Sequence, residues 1–312
     1  MRLVEYVRGR DPRLGVVREG LIYDAAAAGG PTRMLAFLEG GAAARQALEN
    51  GLGSAAARGA VGRFGEVRLG PPLPNPPKLL CVAANYDEHI RECGFAPIEA
   101  GGCVTPQFFA KFPSTCITGP GAPIPISTRN VAPDWELELA VVIGRKGKHI
   151  AAGDALGHVF GYTIINDISE RKLNSDLSNR VARTNDGFFD WLNGKWFDGF
   201  APLGPAIVTA DEVPDPQALE LRLEVNGELM QHSTTGKMIT PVAQLIAWIS
   251  EYVTLEPGDI IATGTPDGVG LARGRFLAPG DVVRGSIEGL GCLENPVVAE
   301  SAVAAGDWGS PG

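Results

Sequence analysis

The sequence predicts an α+β fold, mainly β, and three observations carry that expectation. Segments of strand composition follow one another along most of the chain: KLLCVAAN, WELELAVVIGR, HVFGYTIIND, PAIVT, LELRLEVNG, DIIATGT and DVVRGSIEG. Helical spacing is confined to a few places, so a mixed or antiparallel sheet, rolled or sandwiched, is favoured over a doubly wound parallel sheet. The 41 Gly and 24 Pro among 312 residues exceed ordinary usage, which implies many turns and excludes a purely helical bundle.

Taken in order, residues 2–24 read as a hairpin, with apolar pairs on either side of turn residues and a second turn at Glu19-Gly20. A helix is expected over 32–50, opened by Thr32 and carrying Met34, Leu35, Phe37 and Leu38, with Gly40-Gly41 weakening its middle. The run GPPLPNPPK at 70–78 then removes amide donors and fixes φ at five prolines, so it reads as a linker. It divides a small N-terminal α+β domain (1–70) from a larger domain (71–297), and 298–312 reads as a disordered tail. Two further helices fall at 87–93 and 239–255. In the second, Val242, Leu245, Ile246, Ile249 and Val253 recur at three- and four-residue spacing. PQFFAKF falls in a long loop between strands.

Composition removes several function classes. A net charge of −9 without a basic run leaves nothing to track a phosphate backbone, so nucleic acid is not expected as a partner. No stretch approaches the ~18–20 apolar residues that span a bilayer, and the N-terminus lacks the apolar run of a signal peptide. Five cysteines, odd in number and without a C-x-x-C pair, read as reduced thiols in a cytoplasm. There is no internal repeat, no G-x-S-x-G elbow and no H-E-x-x-H.

What remains is a short inventory of chemistry. In Asp134-Trp135-Glu136-Leu137-Glu138-Leu139, strand periodicity turns Glu136 and Glu138 to one face. Two such carboxylates repel unless a cation lies between them, so they mark either a solvated face or a metal site. With four histidines and no paired cysteines the site would be oxygen-rich and suited to Mg²⁺ or Mn²⁺. Asp167, at the exit of GYTIIN, is either a third ligand or a helix N-cap. His89 and Glu92 are three apart on a helix and can touch, either as a surface pair or as a general base oriented by a carboxylate. Lys195, followed by two aromatics, either holds its head in water or is a functional cation. TGTPDGVG at 263–270 lacks phosphate-loop spacing and by itself is a tight turn.

Together, KLLCVAANYDEHIRE, PQFFAKFPS, the D-x-E-x-E-L-A-x-V-I-G stretch at 134–144, GYTIINDISER, GKWFDGFAPLGP, VNGELMQ, TLEPGDIIATGTPDGVG and GDVVRGSIEGLG resemble, in order over 78–296, the fumarylacetoacetate hydrolase family. The resemblance implies a mixed β-roll catalytic domain, usually homodimeric, with one Mg²⁺ or Mn²⁺ on Glu136, Glu138 and Asp167. It implies catalytic roles for His89, Glu92 and Lys195, and substrate contacts from Arg171, Asn174 and Thr265. It further implies a small 2-oxo or 1,3-dicarbonyl acid as substrate, as in aromatic catabolism. The expected reaction is hydrolysis of a C–C bond in an acylpyruvate-like or β-diketo acid through a metal-stabilised enolate. The alternative is an isomerase or decarboxylase of a 2-hydroxymuconate-type dicarboxylate or oxaloacetate. Glu170 and Asn174 depart from the family pattern, and 175–192, longer than a minimal connection and carrying Arg180 and Arg183, reads either as a specificity loop or as solvated charge.

Overall fold

The computed structural model describes residues 1–9, 11–96 and 104–303. Two sheets organise it. The larger runs through Gly62–Arg63, Leu21–Asp24, Asp11–Arg18, Arg2–Arg8, Ala201–Thr209, Val159–Asn166, Leu137–Ile143, Ile260–Ala262, Leu79–Ala83 and Gln107–Lys111. The smaller orders Glu228–Thr234, Glu220–Val225, Val282–Ile287, Gly291–Ala299 and Ile124–Ile126. Most neighbours are antiparallel, but Ile260–Ala262 pairs in parallel with Leu79–Ala83, and Gly291–Ala299 with Ile124–Ile126. The fold is thus α+β, mainly β, with a mixed sheet.

The central strand Leu137–Ile143 shows how the alternation is used. Leu137, Leu139, Val141 and Ile143 join a core with Leu221, Leu223, Val225, Val283 and Leu293 of the smaller sheet, closed by Leu245, Ile246 and Ile249 of the helix Val242–Tyr252. Ala140 and Val142 face the opposite way, into a core shared with Leu3, Leu14, Phe37 and Leu48. The strand is therefore buried on both faces, and Glu136 and Glu138 belong to the face of Ala140 and Val142.

Four expectations are corrected. The boundary at residue 70 does not separate two sheets. Arg2–Arg8 pairs with Ala201–Thr209 (Leu3 opposite Ile207), and Pro71, Pro72 and Pro76 are buried, because a chain that cannot donate to a ladder can still pack its rings as a seam. PQFFAKF forms a strand, Gln107–Lys111, paired with Leu79–Ala83. The stretch 175–192 contains most of a helix, Asp186–Asn193. The tail at 298 begins as structure: Val298 and Ala299 pair with Pro125 and Ile126, and a turn follows at Glu300–Ala302, because a free edge of the smaller sheet is there to accept it. Residues 304–312 lie outside the described residues.

Among the described residues no helix is long and apolar enough to cross a membrane. Cys81, Cys93, Cys116 and Cys292 are free; Cys103 lies outside the described residues.

Candidate metal centre and acid–base pair

Strand geometry assembles the centre. Leu137 lies opposite Asn166 in the ladder between Leu137–Ile143 and Val159–Asn166, so the residue before the one and the residue after the other are neighbours. The Asp167 amide donates to the Glu136 carbonyl (2.9 Å), and the Asn166 side chain accepts from the Glu136 amide (2.9 Å). Glu138, two residues along the same face, completes a triad: Glu136, Glu138 and Asp167 present carboxylate oxygens all within 4.8 Å of one another. All three are buried, at 5%, 1% and 1% exposure, which rules out a solvated strand face.

Buried cations surround the triad. Lys195 Nζ donates to Glu136 Oε2 (2.9 Å) and Asp167 Oδ2 (2.7 Å), so its head is not in water as its local sequence allows. Lys111 Nζ donates to Asp167 Oδ1 (2.6 Å) and to the carbonyls of Ile168 and Phe200. Arg171 approaches Glu136 Oε1 at 2.7 Å through Nη2 and Asp134 Oδ2 at 2.8 Å through Nε. Burial opposes ionisation of Glu136, but Arg171, Lys195 and His89 hold its carboxyl down to about 2. Glu138 is the opposite case. Burial, then Asp167 and Glu136, push its carboxyl well above the usual range. It accepts one hydrogen bond, from the Gly264 amide (2.7 Å), and has no ion pair among the described residues.

That imbalance is the test of a metal. Four buried carboxylates (Asp134, Glu136, Glu138 and Asp167) face three buried cations, and the one left without a cation is the one whose oxygens converge with two others. An all-oxygen set of this kind fits a hard divalent ion, Mg²⁺ or Mn²⁺.

The second group lies on the one-and-a-half-turn helix Asp87–Glu92. His89 Nδ1 is 2.9 Å from Glu92 Oε1, and Cys93 Sγ is 3.8 Å from the same nitrogen. Glu92 is pinned from outside: Oε2 accepts from the Gly268 amide (2.8 Å) and Oε1 from Val269 (3.4 Å). Burial works against a charged His89, but hydrogen bonds to Cys93 and Glu92 and the field of Glu136 outweigh it and raise the imidazole to about 9.

The turn at 263–270 is therefore a row of backbone donors. Its amides serve Glu138 (Gly264) and Glu92 (Gly268), Gly270 and Leu271 serve Asp134, and Thr265 Oγ1 donates to the Leu137 carbonyl (3.0 Å). Gly268, at φ +98°, passes so close to the Met230 carbonyl that a Cβ would lie 2.1 Å from it.

The remaining expected residues are placed as follows. Arg171 is at the centre, engaged with Asp134 and Glu136. Thr265 is buried beside the triad strand and also accepts from Gln231 Nε2 (2.8 Å). Asn174 is set apart from these groups in its contacts, tied to Asp190 (2.8 Å) and Arg129. Glu170 accepts from the Ala132 and Lys172 amides, a structural role. Sequence reasoning missed Lys111, Asp134 and Gln231. The available signal for Lys111 was a lysine ending the apolar run QFFAK, and for Asp134 its place at the head of D-x-E-x-E.

A mixed α+β fold that buries a carboxylate triad alongside a His–Glu pair has the make-up of a candidate divalent-metal centre. The comparisons with known proteins give that class its family. The fumarylacetoacetate (FAA) hydrolase C-terminal family matches residues 78–298. The mitochondrial oxaloacetate tautomerase of Xenopus laevis is 43% identical over 270 residues, covering 86% of this chain and 79% of the relative. A solved fumarylacetoacetate hydrolase from psychrophilic Exiguobacterium antarcticum superposes with a TM-score of 0.76 at 36% identity, covering 96% of this chain and 99% of that one. The maleylpyruvate hydrolase of Sphingobium sp. SYK-6, solved with manganese(II) and pyruvate, gives a TM-score of 0.74 at 30% identity over 96% and 99%. The chain belongs to the fumarylacetoacetate hydrolase family.

Proposed function

We propose that this protein is a divalent-metal-dependent tautomerase that interconverts the enol and keto forms of a small 2-oxo dicarboxylate of the oxaloacetate class. The carrying observation is the state of the acid–base pair. Glu92 already accepts from two backbone amides and from His89, so it orients the imidazole rather than standing free to take a proton from water. An imidazole raised to about 9 carries its proton at neutral pH and is set to donate it. The 43% identity to an oxaloacetate tautomerase over 86% of the chain supports the same reading.

Glu136, Glu138 and Asp167 would hold the ion. When bound, it polarises the 2-oxo group and lowers the cost of enolate charge. Lys195 and Lys111 hold two of these carboxylates in place, and Arg171 fixes Glu136 from the other side. His89 donates its proton to the enol carbon as the C–H bond forms. The proton leaving the enol oxygen recharges the imidazole, so the balance closes with no net uptake.

A second reading, C–C hydrolysis of an acylpyruvate-like acid, is supported by the likeness to maleylpyruvate hydrolase with manganese and pyruvate. It needs the opposite protonation state, a neutral His89 that accepts a proton from water. The experiment follows loss of the enol absorption band for oxaloacetate and for a panel of acylpyruvates, with Mg²⁺ and with chelator, between pH 6 and pH 10, with products identified by mass. Metal-dependent band loss without mass change, falling away as pH rises, supports the tautomerase. Release of pyruvate and a carboxylic acid, rising with pH, replaces it with the hydrolase. We propose the homodimer also, tested by light scattering on the eluted protein.

A further inference from the structure

Apart from the carboxylate triad, the described residues bring together one other set of metal-ligating atoms: His89, Glu92 and Cys93, again all within 4.8 Å. We propose that these three form a second, nitrogen–oxygen–sulfur site that takes a borderline divalent ion of the Zn²⁺ class, and that filling it disables the His89–Glu92 pair.

The spacing is that of a site needing little rearrangement. With metal–nitrogen and metal–oxygen bonds of about 2.0–2.1 Å and a metal–sulfur bond of about 2.3 Å, a tetrahedral ion holds nitrogen and oxygen about 3.3 Å apart and nitrogen and sulfur about 3.6 Å apart. The separations here are 2.9 Å for His89 Nδ1 to Glu92 Oε1 and 3.8 Å for Nδ1 to Cys93 Sγ. Both of these edges are within a few tenths of an ångström of the ideal, and the oxygen-to-sulfur edge lies within 4.8 Å. Sequence positions i, i+3 and i+4 put the three side chains on one side of the helix end, so no loop closure is needed to gather them. Glu92 is already oriented by the Gly268 and Val269 amides, the kind of outer support that holds a ligating carboxylate in place. Side-chain exposures of 12% for His89 and 18% for Glu92 leave a path for an ion and a fourth position for water.

Ligand chemistry separates the two centres. Three carboxylates select a hard ion, whereas an imidazole with a thiolate selects a softer one, so Mg²⁺ in excess would fill the triad and leave this set to Zn²⁺ or Co²⁺. An ion on His89 Nδ1 takes the place of the proton shared with Glu92, so the ring is held neutral with its one proton on Nε2 and no longer supplies the imidazolium that the reaction needs. Binding stands apart from the reaction assigned above; only the loss of turnover rests on it.

The test uses the full chain with Mg²⁺ in excess, titrated with Co²⁺ and then Zn²⁺. An all-oxygen centre gives no sulfur-to-cobalt charge-transfer band, so that near-ultraviolet band reports the cysteine site alone. One equivalent of Co²⁺ is expected to raise it, Zn²⁺ to displace it, and Cys93→Ser and Cys93→Ala to lack it, while Cys292→Ser retains it. Zn²⁺ is expected to lower turnover about tenfold or more in the parent and less than about twofold in Cys93→Ser, each read against its own rate without Zn²⁺. Absence of the band in the folded parent, or its persistence in both Cys93 variants, overturns the site. Equal zinc inhibition of parent and Cys93→Ser overturns the disabling step. A failed substrate panel leaves the cobalt result intact, so the two proposals fail separately.

Discussion

The carboxylate triad and the His89–Glu92 pair are built in opposite ways. The triad grows out of adjoining strands, is buried, and is held by side-chain cations from distant parts of the chain. The pair rides on a short helix, keeps some exposure, and is held by the peptide backbone of one turn. A metal centre gains from strand rigidity, because several like charges must stay within a few ångströms of one another. A proton donor has to meet its substrate, so it sits on a lighter element that the scaffold braces without enclosing.

The sharpest attack on this contrast is Asp167→Asn. It leaves Lys111 and Lys195 buried against a neutral amide, and we expect a loss of about 3–5 kcal/mol and of turnover by about a thousandfold, read by thermal melting and by rate at saturating Mg²⁺. A melting point equal to the parent's would mean the cations are not structural partners of the triad.

Next in size is Glu92→Gln. Turnover should fall about a hundredfold while Mg²⁺ affinity stays within about twofold, because the change touches the pair and not the ligands. A matched loss of metal binding would erase the distinction between the regions.

The third prediction separates them by pH. His89 has a folded value of about 9 against 6.5, so its stabilising contribution is complete below about pH 6.5 and is lost as pH rises through 9, on the order of 3 kcal/mol at most. Glu136 has a folded value of about 2 against 4.5, so its contribution is complete above about pH 4.5 and is lost as pH falls through 2. Melting points should therefore fall at the alkaline end through His89 and at the acid end through Glu136. Glu92→Gln should shrink the alkaline fall alone.

The smallest effect is expected from Arg180→Ala. Arg180 clamps Asp186 and Asp190 on the helix that leads to Lys195, but it is only part-buried and screened by solvent, so KM should move by about twofold and kcat by less. A tenfold fall in kcat would show that this helix sets the Lys195 position and would join the outer loop to the triad.

How much of this could be read beforehand depended on whether a signal was local. Alternation along WELEL put both glutamates on one face, and the strand exit at Asp167 followed from the same periodicity, so the triad was legible once the family resemblance ruled between a solvated face and a site. Lys111 was not, because its partner is Asp167, 56 residues away, and no spacing rule spans that distance. Lys195 misled locally, since a lysine beside aromatics ordinarily keeps its head in water; here two carboxylates take the place of the water. The proline run at 70–78 carries every mark of a linker, and only the ladder between residues 2–3 and 207–208 reveals that both sides of it share one sheet. The turn at 263–270 was the least legible, because its donors are main-chain amides that no side chain announces.

That last feature bears on how such a chain changes over generations. A peptide N–H is the same whichever side chain it carries, so sequence drift can rewrite the half-buried Asp267 without altering what the turn donates to Glu138, Glu92 and Asp134. The steric exceptions are glycines such as Gly268 and Gly270, where a Cβ would meet the carbonyls of Met230 and Arg275 at 2.1 and 2.2 Å. The damaging lesion is instead a one-residue insertion or deletion, which slides every donor past its carboxylate at once. Tolerance to substitution and intolerance to changes in length are therefore the expected hallmark of this turn in any library of random variants.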